Sequence, residues 1–351
     1  MRDDEGEGKV ISADQIASQQ GRFAGRDDLY GFVLASHAYY VAKNMPEVLR
    51  LIPEDSRRPA YTPLAFSRQV LRGMALAATG DRSEAGFWRD LLGGAKGLYQ
   101  RPLVELALAM HYERAGKLAE VFAPDSPIGE VAIREILLEN IAGPDLLRTA
   151  ARNDRRPQHE RDVALFTLLH KQLGTGDYAG FLRDSALIRA DAAKDGSPNG
   201  LREQGVPLGL FRAGTWSDGY ACPALAATVA VLARDPRDAK ARLCLGDFYR
   251  LNGFDGDPER PKRDELGGTP TLFPGTATPR GAIYADIIAD AKAPAADRAY
   301  ALYRAVNCYA PSGFSTCGGA EAAQSQRRTW FQQLKRDYPS SPWAQKLRYY
   351  W

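Results

Sequence analysis

The chain is poor in the residues that most often announce chemistry. Its 351 residues include four cysteines, four histidines and four methionines. None of the cysteine spacings is C-x-x-C or C-x-x-C-H, so zinc ribbons, thioredoxin-like redox chemistry and c-type haem attachment have no sequence support. His37, His111, His159 and His170 are scattered, and none has a second His or a Cys three or four residues away. No metal and no cofactor is therefore expected, and His111 and His170, each one residue past an apolar run, read as partly buried flank residues. Long hydrophobic runs are also missing. Charged residues or Gly interrupt every stretch short of the ~18 residues that a membrane span needs, as Arg101 and Glu105 do within Leu98–Met110. Charge of one sign is lacking too: 46 Lys and Arg against 43 Asp and Glu leave +3, which excludes a dedicated nucleic-acid binder. With 44% hydrophobic and 25% charged residues, the composition is that of a globular chain, and its length suits about two domains or one elongated array.

Catalytic signatures are equally scarce. No G-x-S-x-G, S-x-x-K, H-E-x-x-H or phosphate-loop sequence occurs, Ser312 reads as a turn serine, and no two carboxylates are singled out as a glycosidase pair. Asp255, Asp257 and Glu259 alternate as in a calcium loop, but the twelfth position from Asp255 is Leu266 rather than the bidentate Glu, so a solvated acidic turn is expected. The pairs Arg57-Arg58, Arg155-Arg156 and Arg327-Arg328 share no helical face and read as solvated surface.

What the sequence does have is helical periodicity. Leu64, Phe66, Val70, Leu71, Met74 and Ala77 recur at threes and fours, the stripe that a helix buries, and no comparable period-two run is present. Gly80-Asp81 then stops the helix, and Ala85, Phe87, Trp88, Leu91 and Leu92 resume the pattern, which predicts a helical hairpin. The punctuation returns at Gly116, at Gly174-Thr175-Gly176-Asp177 and more loosely at Leu245–Gly253, with 36 residues from Gly80 to Gly116. That period is close to the ~34 residues of a tetratricopeptide unit.

The stretch Asp235-Pro236 through Ala241-Arg242-Leu243-Cys244-Leu245-Gly246-Asp247-Phe248-Tyr249 resembles a tetratricopeptide repeat junction. Tyr338-Pro339-Ser340-Ser341-Pro342-Trp343-Ala344 is similar to junctions of bacterial periplasmic repeat proteins, including the outer-membrane assembly lipoprotein type. The resemblance covers short junctions from about residue 70 onward and implies an all-α superhelical array of antiparallel helical hairpins. Locally, Pro339 ends a helix, Ser340 or Ser341 offers a cap and Pro342 suits the first helical position. A last helix over Trp343–Tyr350 is expected, its aromatic stripe closing the array.

Two Gly- and Pro-rich stretches break the pattern, one over 195–220 and one over 252–281. With the polar segment 1–25, which lacks the apolar core of a secretory signal and reads as a leader, they divide the chain. An N-terminal array spans 26–194, the Gly-rich loop 195–220, and a C-terminal array 221–351 with the second loop inside it. Cys308 and Cys317 flank an Ala-Pro-Ser-Gly turn able to bring them within disulfide reach. Cys222 and Cys244 sit on successive apolar runs and pair if those runs are antiparallel, although Cys244, between Leu243 and Leu245, reads equally as a buried thiol. Two bridges imply an oxidising compartment, and the bacterial periplasm is the expectation.

Phe211, Trp216, Asp218 and Tyr220 lie in or beside the first break and form the candidate binding residues, suited to stacking on a sugar or peptide. The alternative is that the rings plug the junction between two arrays. The expected function is a non-enzymatic scaffold of the cell envelope holding a protein or peptide on a concave repeat surface. The alternative is an enzyme, or enzyme-associated domain, acting on cell-wall glycan or another polysaccharide.

Overall fold

The computed structural model describes residues 11–196, 198, 201, 205–213, 219–254, 260–308, 317–318 and 322–350. Among them are eighteen α-helices, two short 3-10 turns and no strand. The chain is all-α. No helix among the described residues is long and apolar enough to cross a membrane. Two compact units are formed, Met1–Arg134 with Lys262–Thr269, and Glu135–Pro261 with Pro270–Trp351.

The first unit contains α1 (Ala13–Ser18), α2 (Asp27–Tyr40), α3 (Met45–Leu51), α4 (Pro63–Thr79), α5 (Glu84–Gly94), α6 (Gln100–Arg114) and α7 (Leu118–Phe122). Helix α4 begins where Thr62 accepts from the Ala65 amide with Pro63 in the first turn, and it ends at Gly80, whose φ of 64° suits a residue without a Cβ. Each helix packs on those one or two places along the chain: α2 on α3 and α4, and α4 on α5 and α6. Between α4 and α5 the approach is close enough that a Cβ on Gly73 would lie 2.2 Å from the Trp88 ring. Part of the expected leader is ordered, since Ser12 and Gln15 form a reciprocal cap on α1 and Ile16 is buried. The segment 262–269 joins this unit because the buried Glu113 carboxylate accepts from the Gly267 and Thr269 amides, both at 2.9 Å, and from the Thr269 hydroxyl at 2.8 Å.

The second unit contains α9 (Pro144–Arg152), α10 (Gln158–Thr175), α11 (Tyr178–Asp184), α12 (Leu210–Ala213), α13 (Leu225–Leu232), α14 (Ala239–Leu251), α15 (Arg280–Ala289), α16 (Ala295–Asn307), α17 (Gln324–Asp337) and α18 (Pro342–Lys346). Helix α8 (Val131–Asn140) carries the boundary between the units. The boundary between the units falls within α8, whereas the sequence expectation placed a division at 195–220. Helices on both sides of that stretch share one core, in which Phe166 and Phe181 pack with Phe211, Phe248 and Phe254. Neighbour packing again dominates, with α9 on α10, α10 on α11, α13 on α14, and α16 on α15, α17 and α18. The terminal helix caps as expected, Ser341 accepting from the Ala344 amide with Pro342 in the first turn, but it stops at Lys346 instead of running to Tyr350. Leu347 is still buried and Tyr350 still meets Phe331, at 5.3 Å, from extended chain.

Candidate functional site

Of the four candidate binding residues, the structure places two. Phe211 is buried at the centre of the phenylalanine cluster of the second unit. Tyr220 is 6% exposed, stacks on Tyr300 at 3.9 Å and 12°, donates to Asp297 at 2.7 Å and lies under the Lys240 ammonium at 3.6 Å. Both are packed core residues, an arrangement that agrees with the plug alternative for these two rings. Trp216 and Asp218 lie outside the described residues, as do Asp255, Asp257 and Glu259 of the calcium-like turn and Ser312.

The charges that the helices bury are used in holding neighbours together. Asp247 is fully buried on α14. It accepts from the Tyr300 hydroxyl at 2.5 Å and pairs with Arg250 at 3.3 Å and Arg304 at 3.5 Å. Arg304 also donates to the Tyr300 hydroxyl oxygen at 2.7 Å. Asp184 sits in a fork from Arg148, 3.0 Å to each oxygen, with Gln172 and Arg183 completing its shell. Burial opposes its ionisation, but these donors outweigh it and hold the carboxyl well below the usual range. In the first unit Glu84 takes His111 at 2.8 Å, Arg114 at 2.7 Å and the Trp88 indole at 3.3 Å. His159 bonds Glu135 at 2.7 Å and the Leu201 carbonyl at 3.0 Å, while His170 lies between Phe166 and Phe254 and burial pushes it down to about 4. Among the described residues no group of three or more His, Cys, Asp or Glu is placed to hold a metal.

A candidate site among the described residues lies elsewhere in the second unit. A groove of about 300 Å³ lies where the C-terminal end of α10 meets α11, α14 and the start of α15. Leu173, Leu245 and Ile283 supply its buried apolar lining, Tyr178 and Tyr249 its rings, and Arg242, Pro236 and Thr278 the remaining rim. Its geometry follows from local sequence. Gly176, at φ 82°, ends α10 and Asp177 caps α11, which sets Tyr178 at the first position of the next helix. On α14, Arg242, Leu245 and Tyr249 recur at three and four and so share one face. Gly246 beside them has no Cβ, and one added there would be 3.3 Å from the Tyr284 hydroxyl, so α15 packs close at this point. Arg242 is oriented by Asp286 at 2.8 Å. The Thr278 amide donates to the Gly174 carbonyl at 2.9 Å, pinning the strand-like approach to α15 against the end of α10.

Sequence reasoning missed this groove while reading both of its junctions. The Gly-Thr-Gly-Asp-Tyr and Leu-Gly-Asp-Phe-Tyr segments have the pattern of packing punctuation, and a tyrosine following each glycine is the available signal. Compared with known families, characterised proteins and solved structures, the chain matches none. Both cysteine pairs are at bonding distance, Cys222 with Cys244 and Cys308 with Cys317, at Cα separations of 5.5 and 5.4 Å. Two such pairs fit an oxidising compartment.

Proposed function

We propose that the chain is a non-enzymatic interaction scaffold of the bacterial cell envelope, exported to the periplasm and built from stacked helical hairpins like those of tetratricopeptide proteins. Helix packing between elements one or two places apart supports the repeat reading, because in an array each hairpin buries its apolar face on the next. The two cysteine pairs support export. The observation that carries the binding role is the groove at the α10, α11, α14 and α15 junction. An apolar lining takes a partner's side chain, two tyrosines offer flat apolar faces with hydroxyls for backbone groups, and Arg242 adds a fixed cation. That combination suits an extended peptide segment.

The test is recovery of a partner from native envelope by wild type and by Tyr178→Ala and Arg242→Ala, with Tyr40→Ala as a control on the exposed surface of the first unit. A polypeptide retained by wild type and the control, and lost by at least about tenfold in the groove variants, is the expected result. Equal retention by all four removes the groove from the function. Recovery of glycan in place of polypeptide favours the polysaccharide reading.

A further inference from the structure

An apolar tip stands out on the first unit, at the turn between α5 and α6. Leu98 is 81% and Tyr99 80% exposed, and Leu103, one turn into α6, is 43% exposed. The other large exposed hydrophobic residues among those described, Tyr40, Leu272 and Tyr349, are isolated in sequence. Three such side chains within six residues make a patch, and a patch calls for an occupant.

The surrounding charge specifies which kind. Lys96 and Arg101 flank the tip, and the loop carrying Arg57 and Arg58 lies beside it, the Tyr61 carbonyl accepting from Gln100 at 3.4 Å. The three arginines and the nearby carboxylates neutralise one another, which leaves Lys96 as the unpaired charge at the tip among the described residues. Asp90 pairs with Arg57 at 2.9 Å, Asp55 with Arg58, and Glu105 is buried, accepting from Arg101 and from the Gly129 and Glu130 amides. Lys96 has no ion pair among the described residues. Helix α6 opens here with no acidic residue in its first turn and no side-chain cap, so the positive end of its dipole faces the same way as the basic residues.

We propose that this tip is a membrane-docking element that inserts Leu98, Tyr99 and Leu103 into the headgroup and acyl boundary of an anionic phospholipid surface. Apolar side chains at the end of a turn, an amphipathic tyrosine and the unpaired Lys96 match the chemistry of that boundary, with the apolar part entering the lipid and the ammonium meeting phosphate. This reading is independent of the peptide groove, which lies in the other unit.

Flotation of the full chain with vesicles tests the proposal, using phosphatidylcholine alone and an equal mixture of phosphatidylcholine and phosphatidylglycerol. Wild type is expected to float with the mixed vesicles, less in molar salt and much less with phosphatidylcholine alone. Leu98→Ser/Tyr99→Ser and, separately, Lys96→Glu should each lower partitioning by about tenfold, while Leu272→Ser leaves it unchanged. Circular dichroism and melting of each variant establish that the fold is kept. Absence of wild-type flotation, or equal flotation of the double variant, overturns the proposal. So does a wild-type dimer that the double substitution turns into a monomer, because the tip's occupant is then a second copy of the chain.

Discussion

Truncating Tyr220 to alanine separates a packed core ring from a ligand platform. The ring is nearly fully buried, stacks on Tyr300, and lies near Trp343 at 6.3 Å, while its hydroxyl reaches the buried Asp297 at 2.7 Å. Removing a ring so placed costs ~3–5 kcal/mol. For a unit of this size that lowers the melting temperature by roughly 10 °C. Tyr220→Phe keeps the stacking and removes only the hydroxyl, leaving Asp297 short of a donor, so it should cost about 1–3 kcal/mol. It should also change the alkaline limb. Burial, followed by the Asp297 carboxylate, raises the Tyr220 pKa above its ordinary 10.0. Above that pH the unfolded chain loses this proton while the folded chain keeps it, so stability falls as pH rises, and Tyr220→Phe should flatten part of that fall. Thermal unfolding followed by circular dichroism reads both effects. A Tyr220→Ala protein that melts with wild type refutes the packing argument.

Gly73→Ala should destabilise the first unit by about 1–3 kcal/mol, because the new methyl meets the Trp88 ring, and urea unfolding reads the loss. Acidification should weaken the second unit in two stages. His170 is held down to about 4 by burial and by Lys171, so the stability it contributes is present above its ordinary value of 6.5 and lost between there and about 4, by at most ~3 kcal/mol; His170→Leu should flatten that part of the profile. Asp184 is held below its ordinary 3.8, so its contribution disappears only below about pH 4, and Asp184→Asn removes that second slope. A non-reduced digest should show Cys222 joined to Cys244 and Cys308 to Cys317. Replacing Cys222 and Cys244 by serine should cost about 3 kcal/mol for a loop of this length.

Much of the local structure was legible because it depends on single residues. Gly80, Gly116, Gly176 and Gly253, read as helix stops, all have positive φ, and Ser341-Pro342 starts a helix as its chemistry requires. The Cys222–Cys244 pairing is one of two readings of Cys244, and the successive apolar runs on which it depends, now α13 and α14, do pack together. Tertiary relations were not legible. The place of 262–269 in the first unit goes with Glu113 clasping residues more than 150 positions away, and no local pattern announces that bond. Phe211 and Tyr220 stand in or beside a Gly-rich stretch, where aromatic rings serve equally as ligand platforms and as plugs, and each ring is held in a separate core built by distant helices. The groove is not legible locally because its lining comes from three separated stretches, 173–178, 236–249 and 278–283, whose residues each have an ordinary packing role.

The most direct test of the scaffold assignment is site-specific photo-crosslinking in intact cells from a benzophenone amino acid at Thr278, an exposed residue on the groove rim. The account predicts one discrete polypeptide adduct from this position, diminished when Tyr178→Ala is combined with it, and no such adduct from the same probe at Tyr349. Equal labelling from both positions, or a Thr278 adduct that is glycan in place of protein, would contradict it.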